Sequence, residues 1–195
     1  MTRAEATPFR LTICGLDELA YCSANEVTHV LSILDPGWPE PEPLRNFELN
    51  RRLKLHFHDV IDPTPDWVAP ERCDVDVLLA FGRDLRANPD FTEPVHLLVH
   101  CHAGLSRSTA AAILLLVQHH ADRAADDAVG TVVRLRPRAW PNLRMIELGD
   151  TALGRGGEIV AAVQDHYRMA LEREPWLAEA MIGGGREREV AAARS

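Results

Sequence analysis

A cysteine and an arginine in the middle of the chain have the types and spacing for nucleophilic chemistry on an anion. Five residues, HAGLS, separate Cys101 from Arg107, and Ser108 follows directly. The cysteine comes just after an apolar run at 95–99, and an unbroken apolar pattern of helical type begins after the arginine. A thiolate is a strong nucleophile, and a guanidinium group can hold two oxygens of a phosphate. The segment therefore predicts a nucleophile and an anion clamp in a loop between a strand and a helix.

The backbone of this loop predicts an anion site of its own. N–H groups at the N-terminus of a helix converge on one point, and the helix dipole adds partial positive charge there. Gly104, in the middle of the loop, permits the backbone angles that such a nest of N–H groups needs. Because the same field favours a thiolate, we expect Cys101 to be ionised and directed at the phosphorus of a bound phosphoryl group.

The sequence His100-Cys101-(x5)-Arg107-Ser108 resembles the signature of the cysteine-based protein tyrosine phosphatase superfamily. The short chain is similar to its dual-specificity-like and small bacterial tyrosine phosphatase members. The likeness covers roughly residues 9–153 and is strongest over 98–109. A second stretch, RPRAWPN at 136–142, resembles the family's arginine-then-Pro-Asn segment, where a new helix begins near the phosphate loop. The resemblance implies a phosphomonoester hydrolase that acts on phosphotyrosine, with phosphoserine and phosphothreonine left open.

The resemblance also implies a role for each residue of the loop. Cys101 would be the nucleophile that forms a phosphocysteine intermediate, and Arg107 would bind the phosphate and stabilise its equatorial oxygens in the transition state. His100 would hold the loop and favour the thiolate, the Ser108 hydroxyl would assist departure of the thiolate in the second step, and Asn142 would be a supporting residue. The expected phosphate-binding residues are His102, Ala103, Gly104, Leu105, Ser106 and Arg107.

A phosphatase of this kind also needs a carboxylic acid that protonates the leaving group and then accepts a proton from water. The segment HDVIDPTPD offers Asp59, Asp62 and Asp66. We favour Asp59, because it directly follows the predicted strand at 53–57, where the family places its acid. Asp62 and Asp66 stay open as alternatives.

Other arginines and the histidines have both a structural and a functional interpretation. The arginines at 134, 136 and 138 fit a solvated surface, or one of them contacts an anion beside the pocket, and Arg138 is then the candidate. His56 and His58 are spaced so that two side chains share one face of a strand. Zinc usually needs three or four ligands with thiol or carboxylate partners at fixed spacing. We therefore predict no metal and no cofactor.

Short β-type runs alternate with helical patterns along the first half of the chain. Runs at 9–14, 27–34, 52–57 and 95–99 predict strands, while 71–88, 108–120 and most of 124–176 have helical character. The last strand is a near-continuous apolar run, as expected of a strand buried on both faces. This order predicts an α/β fold with a central, mostly parallel sheet of about four to five strands flanked by helices.

Composition limits the function classes. A chain of 195 residues with 46% hydrophobic and 26% charged residues is typical of a globular domain, so wholesale disorder is excluded. The net charge of −8 argues against a nucleic-acid partner, and no apolar stretch approaches the roughly 20 residues of a membrane span. Four cysteines without an export signal predict a cytoplasmic protein, and the single lysine among 21 basic residues indicates a bacterial one.

We expect a single domain over 1–182 and a flexible tail over 183–195, which is rich in Gly and then in Arg, Glu and Ala. The expected partner is a phosphorylated protein or a small phosphomonoester, and no pattern defines an oligomeric state. Two alternatives remain: a phosphatase of phosphoinositides or other non-protein phosphomonoesters, and a module that binds phosphoproteins without turnover. The resemblance weighs against the lipid alternative, because lipid-directed members tend to have lysines in this loop and the loop here has none. The presence of a nucleophile, an arginine and a candidate acid weighs against the binding module.

Overall fold

Four parallel strands form one sheet in the described part of the chain. The computed structural model describes residues 9–23, 26–45, 51–87 and 95–194. The strands are β1 (Arg10–Cys14), β2 (His29–Leu34), β3 (Arg52–His56) and β4 (His96–His100). They pair in parallel in the order β1-β4-β2-β3. The predicted α/β fold with a central parallel sheet is confirmed.

Helices cover both faces of this sheet. They are α1 (Leu19–Ser23), α2 (Arg72–Ala87), α3 (Arg107–His119), α4 (Ala125–Leu135), α5 (Leu143–Leu153), α6 (Glu158–Arg173), α7 (Leu177–Gly183) and α8 (Glu187–Ala192), with a 3₁₀ turn at Glu42–Leu44. Among the helices of the described ranges, none has the length and apolar character needed to cross a lipid bilayer.

The strand sequences explain why the sheet is buried on both faces. All five residues of β4 are buried, and successive side chains point to opposite faces. Leu97 and Val99 belong to the large core that includes α2 to α6, whereas Leu98 belongs to a small core with Leu19 of α1. Helix α3 is apolar on all sides and is buried over almost its whole length, as expected for such a pattern. It therefore provides a rigid base for the residues that precede it.

The structure differs from the predicted tail at 183–195. Residues 187–192 form α8, in which Glu189 and Val190 are buried, and Ala193 is buried directly after it. The segment is held by a polar anchor: Glu189 accepts a hydrogen bond from the indole N–H of Trp140 at 2.6 Å. A composition-based prediction misses such docking, because the anchor is an acidic residue with a partner 49 positions away. Ser195, and residues 1–8, 24–25, 46–50 and 88–94 of the predicted domain, lie outside the described residues.

The carboxyl ends of the strands meet at one edge of the sheet, which is where ligands bind in open parallel α/β sheets. Gly15 follows β1, Asp35 follows β2, Phe57 follows β3 and Cys101 follows β4. Side chains and backbone groups from four separate segments are therefore available to one site.

Candidate active site

The loop 101–106 connects β4 to α3 and requires a glycine at its centre. Gly104 has φ +70°, in the left-handed region that favours glycine. A Cβ atom there would overlap the backbone of Cys14 and lie 2.6 Å from the nitrogen of Gly15. The loop also accepts a hydrogen bond at the His102 carbonyl from the N–H of Leu16, at 2.8 Å. The turn after β1 thus fixes the outer side of the loop.

Arg136 holds two carbonyl groups of the loop from outside. Its Nε donates to the carbonyl of Gly104 at 3.2 Å and its Nη2 to the carbonyl of Ala103 at 3.3 Å. Glu18 orients this arginine by accepting from Nη1 at 2.8 Å, and the hydrogen bond lowers the pKa of the Glu18 carboxyl. In a trans peptide the C=O and N–H groups point in opposite directions. The N–H groups of Gly104 and Leu105 therefore face away from Arg136.

The predicted nucleophile and hydroxyl lie next to each other. The Sγ of Cys101 is 3.2 Å from the Oγ of Ser108, and both residues are buried. Ser108 lies in the first turn of α3, so its position is set by the helix. This arrangement allows the hydroxyl to donate a hydrogen bond to a thiolate.

Arg107 is 3% exposed and is oriented by groups from two other strands. Its Nη1 donates to Asp35 Oδ1 at 2.7 Å and to the Phe57 carbonyl at 2.6 Å. Its Nε is buried and has no hydrogen-bond partner among the described residues. One edge of the guanidinium is thus used for support, while Nε remains a donor that an anion in the loop can take. No local sequence pattern points to Asp35, because only the strand order places it beside the loop.

Of the three candidate acids, the structure brings Asp59 to the loop. Its Oδ1 accepts hydrogen bonds from Ser106 Oγ and from Asn142 Nδ2, both at 2.8 Å. Asp62 instead pairs with Arg188 at 3.1 Å, and its side chain is 66% exposed. Asp66 lies in the exposed turn closed by the bridge between Thr64 and Trp67.

Asn142 links the candidate acid Asp59 to a helix. It is fully buried, and its Oδ1 accepts from the N–H of Met145 at 3.0 Å, so it caps α5. Its Nδ2 donates to Asp59, as described, and also to the Val60 carbonyl at 3.2 Å. The side chain predicted as a supporting residue therefore fixes both the start of α5 and the position of Asp59.

The histidines on either side of Cys101 are held as neutral groups. His100 is fully buried and shares a hydrogen bond with Ser32 Oγ, and burial lowers its pKa to about 4. Burial also lowers the pKa of His102, whose Nε2 accepts from the N–H of Asp35 at 3.3 Å. Within the described residues, no group of three or more His, Cys, Asp or Glu side chains is placed to hold a metal ion.

A cavity of about 270 Å³ opens above the loop. Its floor contains Cys101 and Arg107, and Asp59 lies at its side. Exposed Arg138 contributes to the rim, next to the segment that leads to α5. The opposite wall comes from the C-terminal helices and was missed by the sequence analysis: Ala170, Arg173, Glu174, Trp176, Leu177, Met181 and Arg186. The apolar residues of this wall belong to a stretch whose amphipathic pattern predicts a helix. The pattern does not predict which part of the protein the apolar face of that helix contacts.

This arrangement of sheet, loop and α3 is the fold of the cysteine-based protein tyrosine phosphatases, so the resemblance predicted from the sequence is confirmed for the fold. The sequence matches no protein-family model and no curated protein. Several solved structures are similar to this chain. The phosphatase domain of Yvh1 from Chaetomium thermophilum has a TM-score of 0.55 and 22% identity, covering 77% of this chain and 94% of that one.

Two further similar structures are human. DUSP28 has a TM-score of 0.54 and 18% identity, with 77% of this chain and 94% of that chain covered. The tyrosine phosphatase-like serine/threonine/tyrosine-interacting protein has a TM-score of 0.52 and 18% identity, with 73% and 87% covered. At these identities the likeness establishes the fold alone.

Proposed function

We propose that this protein hydrolyses aryl phosphate monoesters, in particular phosphotyrosine in proteins, through a phosphocysteine intermediate at Cys101. The observation that carries the proposal is one cavity lined by a buried thiol, an arginine with a free Nε and an aspartate, with a serine hydroxyl 3.2 Å from the thiol. The six residues His102 to Arg107 would supply the N–H groups and the guanidinium that hold the phosphate.

The first step transfers the phosphoryl group to the protein. The Cys101 thiolate attacks phosphorus in line, a P–S bond forms, and the P–O bond to the leaving phenol breaks. Asp59 gives its proton to the leaving oxygen, so that a neutral phenol departs. Arg107 and the backbone N–H groups stabilise the negative charge on the equatorial oxygens.

The second step releases inorganic phosphate. A water molecule attacks phosphorus while the Asp59 carboxylate accepts its proton, and the P–S bond breaks. The Ser108 hydroxyl donates a hydrogen bond to the departing thiolate, which lowers the energy of the leaving group. The protein then returns to its starting protonation state.

The wall of the cavity supports an aromatic leaving group. Trp140, Leu177 and Met181 line it, and burying a planar ring against such carbons removes apolar surface from water. The side chains of phosphoserine and phosphothreonine are shorter and would leave this wall uncovered. Matched phosphopeptides that differ only in phosphotyrosine or phosphoserine test the preference, and equal kcat/KM values would contradict it.

The proposed intermediate is tested with the Cys101→Ser variant. We expect it to lose measurable hydrolysis of phenyl phosphate but to keep binding phosphate, because the loop N–H groups and Arg107 remain. Acid quenching of the wild-type protein during turnover, followed by peptide mass spectrometry, should find a phosphoryl group on Cys101.

The exposed thiol of Cys73 on α2 provides a control, and Cys73→Ser should retain full activity. Appreciable hydrolysis by Cys101→Ser, or phosphate on another residue, contradicts the mechanism. If the wild-type protein binds phosphotyrosine peptides without hydrolysing them, the non-catalytic alternative replaces the proposal. Preferential hydrolysis of inositol phospholipids would favour the lipid alternative.

A further inference from the structure

Arg186, between α7 and α8, brings a second arginine to the site. Its Nη2 lies 2.8 Å from Asp59 Oδ2 and also donates to the Asp59 carbonyl at 3.2 Å and to Ser106 Oγ at 3.3 Å. The side chain is only 12% exposed and lines the cavity. With Ser106 and Asn142 on Oδ1, Arg186 completes a set of three donors around the Asp59 carboxylate.

A buried carboxylate holds Arg186 in this position. Glu189 has no exposed surface, and its two oxygens accept from Arg186 Nη1 at 3.1 and 3.3 Å. The same carboxylate accepts from Trp140 Nε1 at 2.6 Å and from the N–H of Leu143 at 3.0 Å, at the start of α5. Burial raises the pKa of Glu189, and Arg186 opposes that effect. Burial works to lower the pKa of Arg186, but Asp59 and Glu189 outweigh it and hold this pKa above its usual value.

A buried pair of charges docks a helix only at a large cost in desolvation free energy. Removing two charges from water costs several kcal/mol per ion, and apolar residues of similar volume often stabilise a fold as well or better. Docking of α8 is already served by Val190 and Ala193, which are buried in the large core. Docking of α8 therefore does not explain the charged network of Glu189, Arg186 and Asp59. Because this network ends at the Asp59 carboxylate, its function is to be sought there.

We infer that Arg186 is a positioning residue for Asp59, supplied by the C-terminal helices and oriented by Glu189. The inference rests on the proposed function, in which Asp59 is the acid. Arg186 fixes the rotation of the carboxyl group, so that the proton of Asp59 is directed at the leaving oxygen. Its contribution is greatest when the leaving phenolate is strongly basic, because proton donation then matters most.

The test compares two substrates with the same phosphoryl group. 4-Nitrophenol is a much stronger acid than phenol, so 4-nitrophenyl phosphate depends less on proton donation than phenyl phosphate does. For Arg186→Gln we expect kcat/KM for phenyl phosphate to fall about 10- to 100-fold, since misplacement of a catalytic group has effects of this size. The value for 4-nitrophenyl phosphate should fall much less. Arg186→Lys should recover part of the loss, because the ammonium keeps the charge.

Two comparisons separate positioning from a structural role. In an Asp59→Asn background, Arg186→Gln should add no further loss of kcat/KM, because two residues that act through one group are not additive. Arg188→Ala is the matched control. Arg188 lies on α8 and contacts the same loop through Asp62 and the Ile61 carbonyl, but it does not touch Asp59. This variant should leave the ratio of the two substrates unchanged.

The outcomes are distinct. A wild-type protein that hydrolyses neither substrate overturns the proposed function and this inference with it. A wild-type protein that hydrolyses both, with an equal loss for the two substrates in Arg186→Gln or a further loss in the Asp59→Asn background, overturns the positioning role alone. If Arg186→Gln fails to fold, Glu189→Gln and Arg186→Lys take its place, and an unchanged substrate ratio in both folded variants overturns the inference.

Discussion

The carboxylate of Asp59 has different surroundings from the carboxylates of Asp62 and Asp66. Ser106, Asn142 and Arg186 hold it beside the loop that carries Cys101, whereas the only charged partner of Asp62 in the described residues is Arg188, outside the cavity. All three aspartates lie within eight positions of one another, so a local sequence pattern separates them poorly. The separation comes from the start of α5 and from the C-terminal helices, both distant in sequence.

The choice of acid predicts a clear contrast between two variants. Asp59→Asn should lower kcat/KM for phenyl phosphate about 10²- to 10⁴-fold, the usual contribution of a general acid. Asp62→Asn removes only a surface contact and should leave kcat/KM within about 2-fold of the wild-type value, consistent with the small energies of exposed ion pairs. Steady-state kinetics of the purified variants checks both values. A large loss in Asp62→Asn with little in Asp59→Asn would reverse the assignment.

At the scale of elements, the sequence predicted the parts whose signal is local. The four strands are apolar or alternating runs, and α3 follows its loop without a break, so the position of Cys101 between β4 and α3 could be predicted. Helix α8 could not, because its buried residue is Glu189 and its partners lie on other elements. The support of Arg107 by Asp35 depends on β2 lying beside β4, and the strand order is absent from any local pattern.

The loop between β4 and α3 makes a prediction about Gly104. Gly104→Ala combines a left-handed backbone with overlap on the backbone of Cys14 and Gly15, which cannot move without disturbing β1. We expect it to lower the free energy of unfolding by about 2–4 kcal/mol, of which about 1 kcal/mol comes from the backbone strain and about 1–3 kcal/mol from the overlap. It should also weaken binding of inorganic phosphate, because the loop must open. Urea unfolding and phosphate titration measure the two effects.

Gly154 is the matched control for this substitution. It ends α5 with φ +65°, but a Cβ atom there would meet nothing within 4 Å. Gly154→Ala therefore carries the backbone strain without the overlap, and it should cost about 1 kcal/mol and leave phosphate binding unchanged. Equal losses of stability in the two variants would mean that the close approach of Gly104 to β1 does not contribute to the free energy of unfolding.

At the scale of the whole molecule, arginines gather at the cavity of a chain whose net charge is negative. The net charge is −8, yet the cavity is lined by Arg107, Arg138, Arg173 and Arg186 against Asp59 and Glu174. A concave site lined by cationic groups raises the local concentration of anionic ligands. The acidic composition excludes a broad polyanion-binding surface, but it leaves room for one cationic cavity suited to a phosphate dianion. We expect Arg138, at the rim, to contact such an anion.

The folded state as a whole should depend on pH through His100. This residue lies at the end of β4, next to β2, and burial lowers its pKa from 6.5 to about 4 in the folded protein. Between these values the unfolded chain binds a proton that the folded chain does not. Stability therefore is highest above pH 6.5 and decreases as the pH falls toward 4, by about 3 kcal/mol for the full difference.

Urea unfolding of the wild-type protein and of His100→Asn, each at pH 7 and pH 4.5, tests this dependence. The asparagine cannot take up a proton, so the wild-type protein should lose about 2–3 kcal/mol more than the variant on acidification, whatever their absolute stabilities. The exposed His56 on β3 offers a control, since His56→Asn removes a histidine that stays in contact with solvent after folding. A wild-type pH dependence that persists in His100→Asn but disappears in His56→Asn would show that burial between β2 and β4 is not the source of the effect.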